Sequence, residues 1–145
     1  MKKSLSLYPG AFFAAQIKAD LEQCNAITDS SGLHLSEQEM QQLIQQHTAA
    51  LENTGRVEFC GSILPKLVSA FYASPYLVPR QYAQILAALQ DLFYQLKNDT
   101  YDQIPDDDLI ATMVHFFNNR AHGSIEILAD IAPEEWLDEW KDLKK

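Results

Sequence analysis

Cysteine is scarce in this sequence: Cys24 and Cys60 are the only two. That is too few for a disulfide framework. Both sit in apolar contexts and read as small hydrophobes. Long apolar runs are missing too, and none approaches the roughly 18 residues of a membrane span. Positive charge is in short supply, with 11 Lys and Arg against 20 Asp and Glu, a net charge of −9. Nucleic acids and anionic membranes require a basic face, so this acidic composition argues against both as partners. No nucleotide-binding loop is present. The four histidines, His34, His47, His115 and His122, are not accompanied by a serine in a nucleophile-elbow motif, and the zinc-protease His-Glu-x-x-His spacing is absent. The start, MKKSLSLYPGAFFAAQ, superficially resembles an export signal. Its apolar run is broken by Pro9-Gly10, and Gln16, Lys18 and Asp20 follow on helical spacing. It therefore reads as a strand-like lead into a helix. A cytoplasmic protein without metal or cofactor is expected, and no enzymatic activity is indicated.

What is there is helical periodicity. The chain has 145 residues, 47% of them hydrophobic. That fits one domain, which at this size buries about two-thirds of its unfolded surface. The most regular stretch is Pro79–Asn98. Tyr82, Ile85, Leu86, Leu89, Leu92, Phe93 and Leu96 share one helical stripe. Pro79 suits a first helical position, and Asn98-Asp99-Thr100 favours a stop. Ala83, Ala87 and Tyr94 lie on its flank, where a second helix or a partner would seat.

Other helices are expected before and after it. The first runs from about Pro9 to Asn25, with Phe13, Ile17, Leu21 and Cys24 as its stripe. The second is capped by Ser36 with Glu39 completing a capping box, and ends at Gly55. His47 sits within its apolar stripe. Arg56-Val57-Glu58-Phe59-Cys60 is a short connector. If extended, Arg56 and Glu58 project to one side and Val57 and Phe59 point inward. The third helix starts near Ser62 and ends before Ser74-Pro75.

After the central helix, five aspartates fall within ten residues, from Asp99 to Asp108. They lack the glycine and terminal glutamate of a calcium loop. They serve better to open a fifth helix, Asp107–Ala121, against its N-terminal dipole. Asp108, His115 and His122 recur every seven residues there. They are expected on the solvated face opposite the apolar stripe. A seven-residue step is also about 10.5 Å along the axis, too long for a shared metal ion. A sixth helix spans Ile125–Ile131. The last, 133–145, opens on Pro133-Glu134-Glu135 and carries Trp136, Trp140 and Leu143 at i, i+4, i+7. The whole reads as all-α: a compact single-domain bundle of about six to seven helices over 1–145, with Pro79–Asn98 central.

Several blocks together carry a resemblance. They are Gly32-Leu33-x-Leu35-Ser36, Gly55-Arg56-Val57-Glu58-Phe59, Ser74-Pro75-Tyr76, Phe93-Tyr94-x-x-Lys97-Asn98, Asp107-Asp108-Leu109-Ile110 with Met113, and Gly123-Ser124. The chain resembles a domain-of-unknown-function family of small bacterial proteins over roughly residues 9–130, with the terminal tryptophan helix outside. That resemblance implies no activity, cofactor or partner.

Two functional readings follow from the residues. One is a protein-interaction or adaptor module, with Trp136 and Trp140, or the Ala83/Ala87/Tyr94 flank, as its partner-binding surface. Its expected partner is a protein; the sequence leaves the oligomeric state open, a homodimer included. The other is a small-molecule binder or enzyme with an inter-helical pocket lined by His47, Arg56 and Glu58.

Overall fold

Local capping chemistry decides where most of these helices begin and end. The computed structural model describes residues 9–58 and 62–145, with side chains from residue 14 onward. The strand-like lead before Pro9, and the side chains of Phe13, Phe59 and Cys60, lie outside that part. α1 is Pro9–Thr28 and is followed by a 3-10 turn, Asp29–Ser31. It runs past Asn25 because that side chain does not compete with the helix. Asn25 instead donates through Nδ2 to the Leu35 carbonyl (2.8 Å) and accepts from the Leu35 N–H (2.9 Å). This pins the loop that buries Leu33 and Leu35. α2, Glu37–Thr54, begins at the Ser36–Glu39 capping box and ends with Gly55 at φ 67°. In that left-handed conformation glycine meets no Cβ penalty.

α3 is Leu64–Phe71, and Ser62 Oγ accepts from the Leu64 N–H at 3.0 Å. Pro79–Gln81 forms a 3-10 turn, so α4 proper is Tyr82–Asp99. α5 is Asp106–Asn119, α6 is Ile125–Ala129 behind the Ser124 cap, and α7 is Pro133–Leu143. The protein is all-α: seven helices, with no strand among the described residues.

α4 is the organiser its periodicity predicts. All seven stripe residues from Tyr82 to Leu96 are buried. They join one continuous core with Leu21 of α1, Leu43 of α2, Leu67 and Phe71 of α3, and Met113 and Phe117 of α5. Burying each such side chain stabilises the fold by about 1.5–3 kcal/mol. α2 packs most extensively on α4. His47 meets Tyr94, and Asn98 donates to the Thr54 carbonyl further on. Residue numbers rise together along both helices, so α2 and α4 run in the same direction and α3 lies in the connection between them. Ala83 and Ala87 share Tyr94's flank and pack partly buried against the core.

α7 docks antiparallel along α5. Trp136 is fully buried, edge-on to Phe116 at 4.8 Å between ring centroids, and its indole N–H donates to the Ile131 carbonyl. Arg120 pairs with Glu135, His115 with Glu139, and the Trp140 N–H donates to Asp108. This corrects one expectation. Asp108 and His115 are half-buried beneath α7 rather than fully solvated. A helix packed on the flank of α5 covers a face that the apolar stripe alone assigns to water.

Candidate functional site

One set of interlinked polar residues gathers where α2, the 55–58 connector, the end of α4 and the 100–106 loop meet. Tyr94, on α4, is buried among apolar side chains with its ring edge-on to Phe93. Its hydroxyl donates to Glu58 Oε2 at 2.5 Å. His47 Nε2 lies 2.8 Å from Glu58 Oε1 and 3.1 Å from the Tyr94 oxygen. A carboxylate only accepts, and Tyr94 has one proton, which it gives to Glu58. Both contacts of His47 Nε2 therefore require the proton to sit on that nitrogen. Burial and then the neighbouring Glu58 carboxylate push the Tyr94 phenol well above its ordinary range. Of the three, Glu58 is the most open to water, with 21% of its side chain exposed against 8% for His47.

A second bonded set lies one turn further along α4. Arg56 forms a two-pronged pair with Asp102, through Nη2 to Oδ1 at 2.5 Å and Nη1 to Oδ2 at 3.3 Å. The same Nη1 donates to Asn98 Oδ1 at 2.8 Å. Arg56 holds the Asp102 carboxyl below the usual carboxylate range, and Asp102 in turn raises the guanidinium. Lys97 is buried; its ammonium donates to the Ile104 carbonyl (2.6 Å) and pairs with Asp106 (2.8 Å). Together the two sets tie four chain segments into one polar clasp.

The connector's alternation is the reverse of what its apolar residues predict. Arg56 and Glu58 both turn toward α4, as their two-residue spacing implies, but Val57 is 70% exposed rather than inward. Arg56 and Glu58 have four polar partners waiting at the clasp, and those bonds decide which way the segment faces. The 100–102 turn is also unusual. Tyr101 (φ 55°) and Asp102 (φ 58°) are both left-handed. The Tyr101 N–H bonds to the Asn98 carbonyl and the Asp102 N–H to the Lys97 carbonyl. These two bonds are the Schellman pattern, in which glycine is the usual left-handed residue. Here that residue is a tyrosine with 84% of its surface in water.

The other residues singled out by sequence are placed as follows. His47 and Glu58 meet directly, while Arg56 belongs to the adjacent set. Trp136 is in the core, and Trp140 is half-buried with its N–H bonded to Asp108 and Lys144 over its ring. His115 and His122 have separate partners: Glu139 for His115 and the Tyr76 hydroxyl for His122. No cluster of three or more potential metal ligands occurs among the described residues. Two open surface grooves lie away from the clasp. One, of about 440 Å³, lies between α3 and α5 beside Lys66 and Ile110; the other, of about 290 Å³, lies between α1 and α2 beside Lys18 and Ile44. Asp102 and Asp106 escaped notice as clasp members because an acidic run before a helix already has a local purpose. Tyr101 carries no sequence signal at all, since nothing local marks it as left-handed.

No helix among the described residues is long and apolar enough to cross a membrane. No curated protein and no solved structure matches the chain. A family profile does match, over residues 20–144, and so reaches through the tryptophan helix that the sequence blocks left outside. The chain belongs to DUF6323, a family of unknown function.

Proposed function

We propose that this protein is a helical interaction module that engages partner polypeptides through the two ends of its bundle. One observation carries the reading. The exposed large apolar side chains gather at the ends, leaving the flanks of the long helices without any among the described residues. Tyr76, Val78 and Ile127 sit on or beside the loops of one end, with Ile27 in the last turn of α1. Val57 and Tyr101 stand at the clasp end, and Leu143 closes α7. The burial of Trp136 shifts the docking role from the terminal helix to these loops. The acidic balance supports a protein partner rather than nucleic acid, acting in the cytoplasm; a second copy of the chain is one such partner. The test is photo-crosslinking in the native cell, with benzoylphenylalanine at Tyr76, Ile127, Val57 or Tyr101 and controls at the exposed flank positions Gln45 and Asp91. A discrete cross-linked partner from end positions alone is expected. Cross-links of equal yield from the flanks, or none from either end, refute the reading.

The meeting of His47, Glu58 and Tyr94 favours a second reading, a small-molecule site at Glu58. Its three groups satisfy one another, which is the arrangement of a structural clasp. A ligand acting there must displace the Tyr94 or His47 bond. Screening by NMR for compounds that shift the His47 and Tyr94 side-chain resonances, with Glu58→Gln as control, decides this reading.

A further inference from the structure

Within the interaction reading, the clasp end has a partner chemistry of its own. We infer that it docks a basic polypeptide segment, with Tyr101 and Val57 as apolar anchors. Tyr101 and Val57 are the two most exposed large apolar side chains described, at 84% and 70%. They are brought to one end of the molecule by a specific bond, since Arg56 neighbours Val57, Asp102 neighbours Tyr101, and Arg56 grips Asp102. A tyrosine whose main chain is held this way loses little backbone freedom on binding, and tyrosine is enriched at interface hot spots.

The charge around them is one-sided. Both cations bonded within the clasp are engaged: Arg56 by Asp102 and Lys97 by Asp106. Glu52 and Asp99 are exposed acids, and neither enters an ion pair among the described residues. Asp102 and Asp106 remain more than half exposed even while paired. An apolar pair rimmed by surplus acid is complementary to apolar side chains flanked by Lys or Arg. It repels an acidic segment.

The conformation of Tyr101 supplies a control that separates binding from folding. Glycine is better suited to a left-handed cap than tyrosine, so Tyr101→Gly leaves the fold intact. The experiment titrates the full chain with an end-blocked hexapeptide of alternating lysine and leucine, followed by amide chemical-shift mapping. The glutamate-leucine counterpart and spermine serve as comparison probes. The expected result is shifts confined to residues 52–58 and 99–103 with the lysine peptide, and weaker binding as salt rises. Tyr101→Gly is expected to melt at or above the wild-type temperature and bind at least about fivefold more weakly, the size of a modest hot spot. Equal binding of the glutamate peptide, equal binding of spermine, or unchanged affinity in Tyr101→Gly each overturns the proposal, as does no binding. If cross-links still form at Tyr101 while the lysine peptide fails, the interaction reading stands and only the basic partner is lost.

Discussion

Removing the Tyr94 hydroxyl tests whether the clasp is the hydrogen-bonded unit described. Tyr94→Phe keeps the ring and its edge-on contact with Phe93 but deletes the proton given to Glu58. A hydrogen bond to a charged group contributes about 1.5–3 kcal/mol. Glu58 keeps His47 at 2.8 Å and some water, so the carboxylate is not orphaned and the cost stays within that range. For a chain of this size that is a fall in Tm of roughly 5–10 °C. Glu58→Gln perturbs the same unit differently. The carboxamide has one acceptor oxygen, so it suits only one of two donors, Tyr94 O–H and His47 Nε2–H. If the three side chains act together, the double variant costs less than the two singles summed, by about 1–2 kcal/mol. The assay is urea unfolding at neutral pH followed by circular dichroism, with m-values compared across all four proteins. Additivity within about 0.3 kcal/mol, or a Tyr94→Phe cost below about 0.5 kcal/mol against the 1.5 kcal/mol lower bound, refutes the reasoning.

Gln90 is fully buried on α4, and neither of its amide atoms has a hydrogen-bond partner among the described residues. Gln90→Leu is therefore expected to stabilise the protein by about 1–3 kcal/mol, and a loss of stability in chemical denaturation contradicts the assignment. Asp102 has its folded-state pKa depressed by Arg56. Its stabilisation is complete above the unfolded carboxylate value near 3.8 and is lost as pH falls through the lower folded value. Melting curves between pH 5 and about pH 2 should fall less steeply for Asp102→Asn than for wild type, and since the carboxylate is largely exposed the difference should shrink in high salt. Trp136→Ala removes a fully buried indole and the bond to the Ile131 carbonyl. It is expected to cost about 3–5 kcal/mol, whereas Trp140→Phe, which keeps a ring and loses only the bond to the Asp108 carboxylate, should cost less, about 1.5–3 kcal/mol. Similar losses for the two, measured by thermal melting, contradict the placement of Trp136 in the core.

Where helices begin and which faces they bury is written in neighbouring residues. Ser36 with Glu39, Gly55, Ser124 and the Tyr82–Leu96 stripe act within a turn or two of themselves, so capping chemistry and a 3.6-residue period suffice to read them. Asn25 is the instructive failure. The apolar stripe places the end of the first helix near it, yet its amide is satisfied ten residues away at Leu35, and α1 continues to Thr28.

The partners of the clasp lie much further apart along the chain. Tyr94 finds Glu58 across 36 residues, His47 finds Tyr94 across 47, and Arg56 finds Asp102 across 46. No local period encodes such meetings. They arise because α2 and α4 run side by side in the same direction and bring their C-terminal ends together. By itself, the sequence determined an acidic all-helical chain, its caps and its core stripes, because these rest on local geometry and on the burial of apolar faces. Only the tertiary structure decided that Arg56 and Glu58 turn in while Val57 turns out, that Trp136 belongs to the core, and that Tyr101 stands in water. Each of those outcomes depends on which distant polar and apolar groups are satisfied first when the helices pack.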